Sequence, residues 1–295
     1  MVDILFAGTG ASVPSRERSL PCVAVRHNKD IILFDCGEGS QRQLMISPFS
    51  FMRIKAIFVS HLHGDHFLGL PGLLQTMNMS SRKDDILLVG PKGLERTIKC
   101  MMKACGEVSY GIDIVEAKEG DRFVFKEFVV NVFRVSHNVR ALGFVFEENE
   151  RPGKFDRAKA TALGLRPGPD FTRLQKGETV GGVEPGDVIG PARKGRRIVY
   201  TGDTERCARI AKMAKGADVL IHEATYSSAD AELAKEHKHS TAYDAAITAK
   251  EADVSVLAIT HMSNRYDDLS LLEKECREIF PNTVMATDLL LFTVK

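Results

Sequence analysis

Short apolar runs alternate with segments of helical periodicity along most of the chain, the pattern of an α/β protein. Strands are predicted at 2–8, at 22–27 and 30–34 as a hairpin turning on Asn28-Lys29, at 54–59 and at 86–89. Further strands are predicted at 128–135 and 140–147, which should pair, and at 197–201, 218–221 and 254–260. Helices are expected from about Gln41 and over 67–77, 92–104 and 268–279. Others should flank His239-Ser240-Thr241, where Ser240 or Thr241 suits a helix cap. Two short strands are expected to follow the helix at 268–279.

The pattern breaks between 151 and 197. This segment holds nine of the 24 glycines and five of the 11 prolines and lacks the periodicity of a packed layer. It reads as an arm, residues 151–195, inserted into a single domain spanning 1–295, with one short helix over 155–163.

The polar residues that end the strands fall into a second pattern. His61, His137, Asp203, His222 and His261 each stand just past the end of a predicted strand. Strand ends gather on one rim of a sheet, so residues far apart in sequence can meet there. The densest such stretch is Ser60-His61-Leu62-His63-Gly64-Asp65-His66, which follows the strand at 54–59. Its i, i+2 and i, i+5 spacings do not lie on one helix face, so the ligands sit in a loop and not on a helix.

Imidazole and carboxylate are the donors that borderline divalent metals take, zinc first, with manganese or iron also accommodated. His61, His63 and His137 can serve one metal, and Asp65, His66 and His261 a second, with the carboxylate of Asp203 bridging. Seven ligands of this kind suit a two-metal hydrolytic centre, and the lack of cysteine ligands argues against a closed structural site. Asp35 is expected behind the ligands, accepting the remote N–H of a metal-binding imidazole.

Composition narrows the setting. At 44% hydrophobic and 27% charged residues the chain is that of a globular protein. No apolar run approaches the roughly 20 residues of a membrane span, and the N-terminal residues lack the features of a signal peptide. The six cysteines are scattered with no C-x-x-C pair, as in proteins with reduced thiols, so a cytoplasmic location is expected. Net charge is only +1, but residues 151–197 carry eleven Lys/Arg against five Asp/Glu, leaving the rest at −5. A basic segment on a mildly acidic body points to a large anion, nucleic acid above all.

The order His61-x-His63-x-Asp65-His66, then His137, Asp203 and His261, resembles the metallo-β-lactamase superfamily. That resemblance implies a four-layer αββα sandwich with two metals at one edge of its sheets. It leaves the substrate open, because thioesterases, lactamases, phosphodiesterases and nucleases share the motif. Within it, five segments are similar to the ribonuclease Z family. Pro14-Ser15-Arg16-Glu17-Arg18-Ser19 resembles that family's Pro-x-Lys-x-Arg-Asn loop, with Arg16 for the lysine and Ser19 for the asparagine. His222-Glu223-Ala224-Thr225 and His239-Ser240-Thr241 match two further motifs, and Asp35-Cys36-Gly37-Glu38-Gly39-Ser40-Gln41 is likewise similar. The run to about 195, with Gly168-Pro169, resembles the family's tRNA-clamping arm.

The resemblance implies a homodimeric, two-zinc endoribonuclease that removes the 3′ trailer of precursor tRNA. A 3′-hydroxyl would be left on the tRNA and a 5′-phosphate on the trailer. Asp65 would bind metal and orient or deprotonate the water. His239, positioned by Glu223, would protonate the leaving 3′-oxygen. Arg16, Arg18, Gly168 and Pro169 would meet the RNA, and His222 would pack instead of binding metal.

Overall fold

The computed structural model describes residues 2–294. Fourteen strands form two seven-stranded sheets. The first contains β1 (Val2–Gly8), β2 (Cys22–His27), β3 (Asp30–Phe34), β4 (Ile54–Phe58), β5 (Ile86–Gly90) and β6 (Ile112–Glu116). The second contains β7 (Arg122–Val124), β8 (Phe128–Arg134), β9 (Leu142–Glu148), β10 (Arg197–Tyr200), β11 (Val219–Glu223), β12 (Val256–Thr260) and β13 (Thr283–Met285). The strand β14 (Leu290–Val294) returns to the first sheet and pairs antiparallel with β1, giving the order β14-β1-β2-β3-β4-β5-β6. In each sheet an antiparallel half adjoins a parallel half: β3 to β6 run parallel in the first, β10 to β13 in the second.

The central strands of both sheets bury both faces, and this explains their near-continuous apolar runs. Between the sheets lies a core rich in aromatic residues. Phe34 of the first sheet stacks on Phe144 and Tyr200 of the second, with centroids 5.6 and 5.3 Å apart. The first sheet's outer face is covered by Ser40–Ile46, Leu70–Met79 and Leu94–Cys105, the second's by Ala208–Ala214, Ala242–Ala252 and Ser270–Ile279. The result is the expected αββα order of layers.

Three expectations change. The helix read over 67–77 is two pieces, Gly64–Phe67 and Leu70–Met79, divided at Gly69. A Cβ on Gly69 would stand 2.1 Å from the Gly37 carbonyl oxygen, so the break lets the chain pass hard against the turn after β3. The strand read as ending at 221 runs on to Glu223. Because strand side chains alternate faces, Glu223 reaches the rim and His222 points away from it.

The third change concerns 151–195. This segment holds three short helices, Arg157–Ala162, Pro169–Gln175 and Pro185–Val188, and not one. They enclose an apolar core of Ala160, Leu165, Phe171, Leu174, Val180, Val183 and Val188. Each element contributes only one or two of these residues, so no window shows a period. Opposed backbone hydrogen bonds at Arg151 and Arg193, both 2.8 Å, close the segment at its root.

Candidate metal centre

The loop after β4 brings His61 and His63 to the rim, while Asp65 and His66, expected in the same loop, stand on the one-turn helix Gly64–Phe67 that follows it; the loops after β8, β10 and β12 bring His137, Asp203 and His261. Two groups form there: His61, His63, His137 and Asp203, then Asp65, His66 and His261. Within each group one donor atom per residue lies within 4.8 Å of the others. The Asp203 carboxylate joins them, with Oδ2 3.6 Å from His61 Nε2 and 3.3 Å from His66 Nε2, and Oδ1 3.3 Å from His261 Nε2. The Asp203 carboxylate thus lies between the two groups.

Hydrogen bonds fix the tautomer of four rings. His66 Nδ1 donates to Asp35 Oδ2 at 2.8 Å, and His137 Nδ1 to the Lys238 carbonyl at 2.9 Å. Ser60 Oγ gives its proton to Asp35 Oδ2 and therefore accepts from His61 Nδ1 at 3.0 Å. Thr225 Oγ1 gives its proton to Glu223 Oε2 and therefore accepts from His261 Nδ1 at 2.9 Å. With Nδ1 held by an acceptor in all four, each ring turns its Nε2 toward the centre, the atom a metal would take. His63 is turned the other way, with Nδ1 3.0 Å from His61 Nε2.

The residues fit a divalent cation by their own chemistry. The donors are nitrogen and oxygen throughout, and burial holds the imidazoles of His61, His63 and His137 below the usual histidine range, leaving them neutral for coordination. Among the described residues, His66 Nε2, His261 Nε2 and Asp203 Oδ1 are buried side-chain atoms with no hydrogen-bond partner. Such atoms are costly unless something completes them. Burial opposes ionisation of Asp65 and Asp203, but the surrounding imidazoles hold both carboxyls below the usual carboxylate range.

Asp35 is fully buried and anchors the centre. It accepts from Ser60 N at 2.6 Å, Ser60 Oγ at 2.8 Å, His66 Nδ1 at 2.8 Å and Tyr200 OH at 2.6 Å. Tyr200 and the Lys238 carbonyl carry no sequence signal of their own, and Ser60 and Thr225, though inside named motifs, take no role from them; the roles of all four follow from position.

Beside the cluster, His239 Nδ1 donates to Glu223 Oε1 at 2.8 Å and lies 4.0 Å from Asp203 Oδ2. Glu223 also accepts from Thr204 N and Ser240 N, at 2.7 and 3.1 Å. Burial disfavours the charged ring, yet the Glu223 carboxylate outweighs it and lifts the His239 pKa to about 9. Asp203, His239 and His261 also come within ligand range of one another. A charged His239 held by Glu223 suits proton donation better than coordination. Thr241, and not Ser240, caps the next helix, its hydroxyl accepting from Asp244 N.

The other candidates lie around this rim or beyond it. His222 is buried, with Nδ1 donating to the Glu223 carbonyl at 2.7 Å, and stands apart from both ligand groups. Arg16 is exposed. Arg18 is tied down, donating to Asn264 Oδ1 at 2.8 Å and to the Ser263 carbonyl at 3.3 Å. Gly168 and Pro169 open the second helix of the arm; Gly168 has φ +103 and no atom within 4 Å of where a Cβ would be.

With this geometry in view, likeness to known proteins becomes specific. A family model described as Anti-Pycsar protein Apyc1 matches residues 2–151. That span holds the His61–His66 loop and His137 but stops short of Asp203, Glu223, His239 and His261. Ribonuclease Z of Methanosarcina acetivorans reaches across all of them, 44% identical and covering 98% of this chain and 97% of that protein. The crystal structure of human tRNase Z, short form, superposes with a TM-score of 0.74 at 30% identity, covering 99% of each chain. The metallo-β-lactamase fold protein YhfI from Bacillus subtilis gives 0.73 at 15% identity, over 99% of this chain and 98% of that one, which speaks for the fold. The chain belongs to the ribonuclease Z family, endoribonucleases built on the metallo-β-lactamase fold.

Proposed function

We propose that the protein is a two-zinc endoribonuclease that removes the 3′ trailer from precursor tRNA, leaving a 3′-hydroxyl on the tRNA and a 5′-phosphate on the trailer. The observation that carries this reading is the Glu223–His239 pair standing 4.0 Å from the shared carboxylate, a proton donor beside a ligand cluster. His61, His63 and His137 would hold one ion, Asp65, His66 and His261 the other, with Asp203 between them. When bound, two divalent ions, zinc or manganese, supply an acidified water and stabilise charge on the phosphoryl oxygens.

The chain's own residues do the rest. Asp65 Oδ2 accepts from Ser12 N at 2.9 Å, which fixes the carboxylate that orients the attacking water and takes its proton. Glu223 keeps His239 charged, and His239 gives its proton to the 3′-oxygen that leaves. Arg16 meets the RNA backbone beside the cut, while Arg18 holds the loop that presents it. On the arm, Lys154, Arg157 and Lys159 line a hollow of about 640 Å³. Gly168-Pro169 offers backbone a close approach to phosphate. Charge without base readout suits a substrate recognised by shape.

Two further parts of this reading rest on surface and thiols. Met45 and Ile46 of one outer helix, Leu68 and Met79 of its neighbour's segment are exposed, and a second copy covering them would make a homodimer. All six cysteines are free, in keeping with the cytoplasm. Among the described residues no helix is long and apolar enough to cross a membrane.

The test is incubation of the purified, metal-loaded protein with a 3′-extended tRNA transcript and mapping of both new ends. A single cut 3′ of the tRNA body is expected, lost in Asp65→Ala while tRNA binding persists. Uncut transcript, with turnover of small phosphate esters alone, would overturn the tRNA assignment.

A further inference from the structure

The structure assigns to Asp288 a positioning role: its carboxylate holds the 9–19 loop in the one shape that sets Asp65. The residue lies in the link between β13 and β14, and no family motif named above contains it. Its Oδ1 accepts from Thr9 N at 3.0 Å and Thr9 Oγ1 at 2.8 Å. Its Oδ2 accepts from Ser19 N at 2.7 Å and Gln43 Nε2 at 2.8 Å. Both ends of one loop are thus bound to one carboxyl group. Among the described residues no lysine, arginine or histidine forms an ion pair with it, so its four donors are neutral and directional. Such an arrangement fixes geometry without balancing charge.

What the clamp holds leads directly to the site. From Thr9 the chain donates Ala11 N to the Met262 carbonyl at 3.1 Å, and Met262 N returns to the Thr9 carbonyl at 3.0 Å, one residue past His261. Ser12 then turns into the left-handed region, φ 61, and aims its amide at Asp65 Oδ2. A non-glycine residue stays there only when its surroundings impose it. The tip closes with Ser15 N on the Arg18 carbonyl at 2.9 Å, and Gly10 N on the Ser19 carbonyl at 2.9 Å seals the base. On the far side of the clamp, Leu289 at φ 64 bonds the Phe6 carbonyl at 2.7 Å, locking Asp288 to the end of β1. Position 19 takes part through its backbone, so a serine there keeps the loop as well as any side chain would.

This role rests on the reading that Asp65 serves the hydrolytic step. Asp288→Asn keeps the side chain's size and replaces one accepting oxygen with a donor. Its kcat on a 3′-extended transcript should fall on the order of tenfold or more, with KM within about threefold because the arm is untouched. Cuts one or two nucleotides from the main position should appear, and amide exchange over residues 10–19 should quicken. A loss of packing alone would lower the melting temperature without moving the cut. A folded Asp288→Asn with one cut, kcat within twofold of wild type and unchanged exchange overturns the assignment.

If Asp288→Asn does not fold, Thr9→Val removes one of the four bonds. The same secondary cuts at lower yield support the role, and an unchanged cut pattern overturns it. Failure of the wild type to cut the transcript would strike the tRNA reading instead. Amide exchange and turnover of bis-p-nitrophenyl phosphate by Asp288→Asn then still decide the role of Asp288: both altered supports it, both unchanged overturns it.

Discussion

At the scale of single residues the site is a set of forced choices. Ser12, Asp35, Lys238 and His261 all adopt left-handed backbone, at φ between 56 and 61, and all four touch the cluster directly or through one atom. Each such residue costs on the order of 1–2 kcal/mol, which the surrounding hydrogen bonds offset. Ionisation is forced in the same way. His239 is charged at neutral pH because Glu223 outweighs burial, and it loses its proton as pH rises toward 9. A proton donor must be charged, so kcat/KM should fall on the alkaline side as His239 deprotonates. Removing the carboxylate in Glu223→Gln leaves burial unopposed, and the alkaline limb should move to lower pH. A pH–rate profile of the variant with its limb unmoved would separate Glu223 from the proton donor.

At the scale of elements, the strands' ends carry the chemistry and the insertion carries the charge. The apolar signals of the strands were legible because the central strands of both sheets bury both faces, and the hairpin at Asn28-Lys29 follows from its turn chemistry. The candidate ligands His61, His137, Asp203 and His261 stand out in the sequence because each closes an apolar run, and His63, Asp65 and His66 because they crowd behind the first of these. His222 ends an apolar run as the others do but packs, as expected, because one more strand residue reverses the face that a side chain occupies. The arm's inner packing was hidden because three helices of four to seven residues share one core and none shows a full turn pattern. The hydroxyl of Tyr200 had no signal, and the motifs containing Ser60 and Thr225 did not show which ring each would hold, since only folding sets those contacts.

The arm's own core and closed root make it a removable unit. Replacing 151–195 with a short glycine linker should leave turnover of a small phosphodiester within about twofold. Cleavage of precursor tRNA should drop on the order of a hundredfold, with a shallower dependence on salt. A truncated protein that processes the transcript like wild type at physiological salt would remove the arm from substrate binding.

At the scale of the whole molecule the two sheets meet at an aromatic seam, and the ligand cluster sits on top of it. Tyr200 belongs to both: its ring stacks on Phe34 and its hydroxyl reaches Asp35. Four of the candidate ligands follow strands of the first sheet and three follow strands of the second, so ions bound there would tie the sheets together across their rim. Chelation should therefore lower the melting temperature by several degrees as well as abolish hydrolysis. Ions at a hundredfold excess over Kd are worth about 2.7 kcal/mol. Zinc or manganese added back should restore both. A chelated protein with an unchanged melting temperature would mean that the ions do not bridge the layers.

The pairing of β14 with β1 has a consequence for how the chain is made. Phe6 and Leu290, Ile4 and Phe292, Val2 and Val294 are partners separated by nearly the whole sequence. During synthesis the first sheet can assemble from β1 to β6, but β1 keeps a bare edge of apolar backbone until residue 294 has left the ribosome. An unpaired edge of this kind is a template for pairing with other chains. Nor can the nascent chain hydrolyse anything before His261 emerges. Completion of the candidate site and closure of the first sheet's edge therefore both wait for residues beyond 260.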